Sequence, residues 1–169
     1  MHYSLVMPKQ LLLIRHAKSD WNNPALSDFD RPLNERGKRD APMMGARLKN
    51  ADIRLERLLS SPAQRARSTA ENIANAIGFA AQNIDWITEL YLASPGSMLD
   101  VIQNTPADIN SIALVAHNPG ISELAATLSD FSIGNIPTCG IVRLQSKSEN
   151  WNIGSPFTLM DFDYPKKSL

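Results

Sequence analysis

The run Leu11-Leu12-Leu13-Ile14, unbroken by any polar side chain and stopped at once by Arg15-His16, constrains the fold more than any other stretch. A strand with one solvated face alternates apolar and polar residues. A strand apolar at every position is covered on both faces, as strands are in a parallel sheet layered between helices. Leu58-Leu59-Ser60 and Ile112–Ala116 share this pattern. Helical stretches lie between them. Asn34 is placed to cap a helix over 35–49, with Glu35 in its first turn and Pro42 as an awkward interior residue. Pro62 opens a second helix that runs to Ile77 and is stopped by Gly78. Ile84–Ile87 reads as a further strand, Met98–Gln103 as a short helix, and 121–129 as a helix after the turn at Asn118-Pro119-Gly120. Ile141–Leu144 and Phe157–Met160 follow with no helix between them, which makes the last pair antiparallel. The expectation is one three-layer α/β domain over 1–169, with a mainly parallel but mixed central sheet and helices on both faces. Residues 1–9 read as a frayed leader.

A chain of 169 residues buries one sizeable core. Lys plus Arg (17) balances Asp plus Glu (17), so no net field favours nucleic acid or anionic lipid, and neither is expected as a partner. Any preference for anions has to be local. No stretch approaches the roughly 18–20 apolar residues of a membrane span, and the run at 11–14 is too short for a signal-peptide core. The single cysteine, Cys139, cannot form an internal disulfide and suits a reducing compartment. A cytoplasmic protein is the expectation.

Chemistry collects where strands end. Arg15-His16 follows the first strand, Ser60-Ser61 through Arg65 the second, and His117 the run Ile112–Ala116. The carboxyl ends of parallel strands share one edge, where ligands bind, so these residues converge although about a hundred positions separate them. A single histidine at a strand end is more often a hydrogen-bonded structural group, and a single arginine on a first helical turn a solvated charge. Their convergence on one edge is what argues for more. Arg65 sits near a helix N-terminus, where an anion is welcome. Other chemistries lack their residues. There is no GxxxxGK[ST] loop, no GxGxxG after a strand and no GxSxG elbow. Arg143 follows Cys139 too closely for a cysteine-phosphatase loop. His2, His16 and His117 have no metal-ligand spacing, so neither metal nor cofactor is expected.

LLLIRHAKSDWN (11–22), DFDRPLNERGKRDA (28–41), SSPAQRARSTAENI (60–73) and ALVAHNPGISEL (113–124) together resemble the histidine phosphatase superfamily, in the family's own order. The Arg-His-Ala-Lys-Ser-x-Trp opening and the short chain look most like the SixA-type branch, the small phosphohistidine phosphatases. The resemblance implies a phosphoglycerate mutase-like fold and a metal-independent phosphatase. His16 is then a nucleophile that carries the phosphoryl group, with Arg15, Arg65 and His117 around the phosphate. Ser19, Asn22 and Arg31 are further candidates for that pocket. His16 is expected neutral, with one ring nitrogen tied to a backbone carbonyl, and His117 protonated as a donor. The family's usual Arg-His-Gly is Arg-His-Ala here, and an alanine at position 17 is strained if positive φ is needed. The proton donor is open among Glu89, Asp20 and Asp28, with Glu89 first. The implied substrate is phosphohistidine in a protein or a small phosphorylated molecule. A phosphomutase is a second reading, but the 27 residues between Glu89 and His117 leave little room for a covering segment. A silent phospho-ligand binding module is the reading from another class.

Overall fold

The unbroken apolar runs become three adjacent strands of one sheet in the computed structural model, which describes residues 7–152, 154 and 156–168. The strands are β1 (Lys9–Arg15), β2 (Arg57–Ser60), β3 (Asp85–Trp86), β4 (Ser111–Ala116), β5 (Ile141–Ser146) and β6 (Thr158–Asp163). Their spatial order is β3-β2-β4-β1-β5-β6. The first four run parallel, while β5 pairs antiparallel with both β1 and β6, giving the mixed sheet expected. Four helices complete the layers: α1 (Glu35–Asn50), α2 (Gln64–Ile77), α3 (Pro95–Gln103) and α4 (Gly120–Leu128).

The apolar runs are unbroken because each strand feeds two cores. Leu11 and Leu13 of β1, with Ile112 and Leu114 of β4, pack with Met98 and Ile102 of α3 and Ile121 and Leu124 of α4. Leu12 and Ile14, with Ala113 and Val115, pack with Met44 and Leu48 of α1 and Ala70 and Ile73 of α2. Alternate side chains of one strand thus face opposite helical layers. No helix among the described residues is long and apolar enough to cross a membrane.

Local signals largely act as read. The Asn34 side chain accepts from Gly37 N, and Gly78 closes α2 in the left-handed conformation at φ 77°. Helix α1 continues through Pro42. Several boundaries differ from expectation: α3 begins at Pro95 rather than Met98, and β6 spans Thr158–Asp163 rather than 157–160. Helix α2 starts at Gln64 rather than Pro62, and β3 is two residues long because it is an edge strand. Lys9 belongs to β1, not to a leader: its buried ammonium donates to the carbonyls of Ala107 and Ile109 and to Asn110 Oδ1. Residues 1–6 of the expected leader lie outside the described residues.

Register fixes where the chemistry goes. Arg15 pairs with Ala116, and Ser60 with Val115, so His16, Ser61 and His117 leave the same edge of the sheet.

Candidate active site

His16 is pinned on both sides by backbone. Its N–H donates to Ala116 O, and its carbonyl accepts from Cys139 N, both at 3.1 Å. The ring lies with Nδ1 2.7 Å from Ala17 O. A carbonyl only accepts, so Nδ1 carries the proton and Nε2 keeps its lone pair. Ala17 N donates to Thr69 Oγ1 at 2.9 Å, and that hydroxyl donates to Arg65 O at 2.7 Å, which ties the loop after β1 to α2. Ala17 is not strained: among the described residues the non-glycine positions at positive φ are Asp52, Leu92 and Cys139. Two of these, Leu92 at 49° and Cys139 at 60°, border the site, where left-handed backbone costs of order 1–3 kcal/mol each.

His117 faces His16 with ring centroids 5.1 Å apart. Its Nε2 lies 2.7 Å from Ser61 Oγ, while Nδ1 is buried without a hydrogen-bond partner. Arg65 is buried and donates from Nη1 to Asp28 O at 2.7 Å and from Nη2 to Asp28 Oδ2 at 3.0 Å. The same carboxylate accepts from Tyr91 at 2.5 Å and from Arg31 Nη2 at 3.1 Å. Arg31 also donates to Ser19 Oγ at 2.7 Å and stacks 3.4 Å from the centroid of Trp21. Arg15 donates from Nη1 to Ile136 O at 2.9 Å. Arg15, His16, Ser19, Arg31, Arg65 and His117 together line a cavity of about 320 Å³. Trp21 and Leu92, 70% and 57% exposed, stand at its rim.

Burial sets the protonation states. It lowers His16 from 6.5 to about 3 against the pull of the Ala17 carbonyl, and His117, Arg65 and Arg15 add repulsion. Burial, then Arg65, lowers His117 to about 4, with Asp28 opposing. Both imidazoles are therefore neutral near pH 7. For His16 this is the state expected; for His117 it differs from the protonated donor expected, because burial first and then Arg65 lower its pKa in the protein alone. Burial pushes Asp28 up, but Tyr91, Arg65 and Arg31 outweigh it and hold the carboxyl at about 2. Burial pushes the Cys139 thiol up to about 12, which makes it a poor nucleophile.

The pocket therefore gathers six of the eight sequence candidates and leaves two outside. Glu89 is exposed in the 3-10 turn Thr88–Leu90 and lines a different cavity, with Arg57, Asp85 and Trp86. Asn22 is exposed, its backbone N–H bonded to Asp20 Oδ1. It is not among the residues that line the cavity. Among the reserve donors, Asp20 does not line the pocket, and Asp28 is already ionised by its three partners. Sequence reasoning placed Ser61 at the sheet edge without giving it a role, and it missed Thr69 and Tyr91. Ser61 had a signal, since it follows β2 as His16 follows β1. Thr69 had a weaker one, four residues beyond Arg65 on the same helix face. Tyr91 had none.

Comparison with known proteins bears on the family and the fold. The family model described as "Histidine phosphatase superfamily (branch 1)" matches residues 11–94. An uncharacterized chloroplastic protein of Arabidopsis thaliana is 34% identical over 157 residues, covering 88% of this chain and 71% of that one. A solved structure from Agrobacterium tumefaciens, described as "the putative phosphohistidine phosphatase SixA", superposes with a TM-score of 0.78 at 29% identity. It covers 93% of this chain and 98% of its own. The protein histidine phosphatase SixA in complex with tungstate has a TM-score of 0.78 at 24% identity, covering 92% and 97%, which speaks to the fold alone.

Proposed function

This chain belongs to the histidine phosphatase superfamily, in its SixA-type branch, and we propose that it is a metal-independent phosphatase whose nucleophile is His16 and whose substrate is protein phosphohistidine. One observation carries the reading. Buried polar atoms in folded proteins nearly always have partners. Among the described residues four buried side-chain nitrogens have none, and three of them, Arg15 Nε, Arg65 Nε and His117 Nδ1, belong to groups around the one pocket that holds His16. A phosphoryl group entering that pocket brings the negative charge that the guanidinium groups of Arg15 and Arg65 are placed to meet.

The reaction is then a two-step transfer. His16 Nε2 attacks phosphorus in line while Arg15 and Arg65 neutralise the equatorial oxygens. The bond from phosphorus to the leaving nitrogen breaks, and its electron pair stays with the departing imidazole. A water oxygen next attacks the phosphorus held on His16, releases inorganic phosphate and returns the lone pair to Nε2. The Ala17 carbonyl holds Nδ1–H throughout, so the ring keeps one tautomer and one orientation.

The absence of a poised acid supports the choice of substrate. Glu89 lines another cavity and Asp28 is ionised, so no carboxylic acid among the described candidates stands ready to protonate an alkoxide. An imidazole whose second nitrogen already carries a proton leaves neutral and needs none. The exposed rim at Trp21 and Leu92 suits a bulky substrate and disfavours a mutase, which has to retain its intermediate. We place the activity in the cytoplasm, since the one cysteine is a buried free thiol.

Acid-sensitive trapping tests the mechanism. Turnover quenched in alkali retains label on the wild-type protein, the label is lost in acid as a phosphoramidate is, and His16→Ala traps none. Near-wild-type turnover by His16→Ala, or acid-stable label, overturns the covalent step. Phosphate binding without any turnover identifies a binding module instead.

A further inference from the structure

Beside the histidine pocket lies a second cavity of about 350 Å³ that the reaction above does not use. Arg15, Lys18 and Thr138 line both, so the two adjoin. Arg36 and Asp40 of α1 form one wall of the second cavity, and Tyr164–Lys166, beyond the end of β6, form another. That outer wall is held in place. Arg47 of α1 donates to Asp163 Oδ1 at 2.9 Å, to Tyr164 O at 3.0 Å and to Pro165 O at 3.2 Å.

The charge in this cavity is one-sided. Arg15, Lys18, Arg36 and Lys166 line it against the single carboxylate of Asp40. Asp40 is buried, and it lies 3.5 Å from Arg39 Nε outside the cavity as well as 3.8 Å from Arg36 Nε. Among the described residues no carboxylate pairs with Lys18, Lys166 or Arg15. Arg36 Nη2 donates to Thr138 Oγ1 at 3.0 Å, and Arg36 Nε is the fourth buried nitrogen without a hydrogen-bond partner. In a chain with as many acidic as basic residues, such a concentration is local. Pro137 and Pro165 add low-dielectric wall, which strengthens the field inside.

We propose that this cavity is a second anion subsite, which takes a carboxylate or phosphate group tethered to the same substrate whose phosphoryl group enters the histidine pocket. The proposal rests on the phosphatase reading only for the identity of the first anion. Arg15, Lys18 and Thr138 are the seam across which the two anionic groups are joined. A substrate with one anion uses half of the groove, and a substrate with two uses all of it. The subsite therefore selects for a second negative group near the phosphoryl group, whatever the leaving atom is.

Non-hydrolysable probes separate binding from turnover. Calorimetry with the full chain compares methylphosphonate with phosphonoacetate, 3-phosphonopropionate and 4-phosphonobutyrate, which add a carboxylate on tethers of increasing length. At least one tether is expected to bind roughly tenfold more tightly than methylphosphonate, the size of one added charge-assisted contact. Lys166→Ala and Arg36→Gln are expected to remove most of that gain and to leave methylphosphonate affinity unchanged. Lys166 is exposed, so its replacement keeps the test valid if Arg36→Gln disturbs α1. The idea fails if every tether binds like methylphosphonate, if the gain survives both variants, or if methylphosphonate with free acetate reproduces it. A catalytically silent protein still gives this binding result, so failure of the phosphatase reading is read separately from failure of the subsite.

Discussion

Asp28 shows how a residue outside the chemistry governs it. Its carboxylate and carbonyl hold Arg65 by two bonds and its carboxylate also takes Arg31 and Tyr91, so two guanidinium groups are aimed by one side chain. Asp28→Asn keeps the shape and removes the charge. Misplacing a phosphate-binding group by about an ångström costs up to about a hundredfold, so kcat/KM is expected to fall between tenfold and a hundredfold. Circular dichroism should stay unchanged, and undiminished kcat/KM contradicts the positioning role. The histidines make a pH prediction of definite sign. Both are depressed from 6.5, to about 3 and about 4, so they contribute stability that is fully present above pH 6.5 and is lost as the pH falls towards those values. Tm followed downwards from neutral pH should begin to decline near 6.5, and inorganic phosphate should lessen the decline. A flat Tm through that window rules out buried neutral imidazoles. For the same reason the acid limb of kcat/KM should lie well below the ordinary histidine value.

At the scale of elements, α1 closely approaches the loop after β1 that carries His16 into its pocket. A Cβ added at Gly37 would lie 2.2 Å from Lys18 O, and the backbone around Lys18 has no room to give because Asn34 N donates to that same oxygen. Gly37→Ala should therefore lower stability by about 1–3 kcal/mol and weaken phosphate binding by shifting the loop at 16–19. Denaturant titration together with phosphate affinity checks both effects, and loss of neither overturns the packing argument. The elements most legible in the sequence were those whose two faces are both buried, β1, β2 and β4, because burial on both faces leaves no polar position. Asn34 and Gly78 were legible because a cap is a local hydrogen-bonding event. The length of β3 was not: the strand lies inside the expected 84–87 but keeps only two residues, since an edge strand has one partner. Lys9 was not either, since its buried ammonium is satisfied by carbonyls about a hundred residues away.

The whole molecule explains which site residues could be read from the chain. Arg15, His16, Arg65 and His117 were legible because parallel topology alone sends strand ends to one edge. Glu89 was misplaced because a single 3-10 turn decides which cavity it faces, and no pattern in the sequence fixes that turn. In the proposed mechanism guanidinium groups meet the phosphate charge, so exhaustive chelation should leave turnover unchanged, and activity lost to chelator and restored by one metal ion contradicts that assignment. The same parallel topology has a kinetic side. Leu11 pairs with Ile112, and β1 meets β4 only after a loop of about a hundred residues has closed, an entropic cost that slows folding. Helices α1 and α2 depend on neighbours in sequence and can form beforehand. His16 and His117 come face to face only once that long loop is shut. A chain emerging from the ribosome therefore carries His16 into solvent long before His117 is there to face it, and turnover is expected to be the last property that refolding restores.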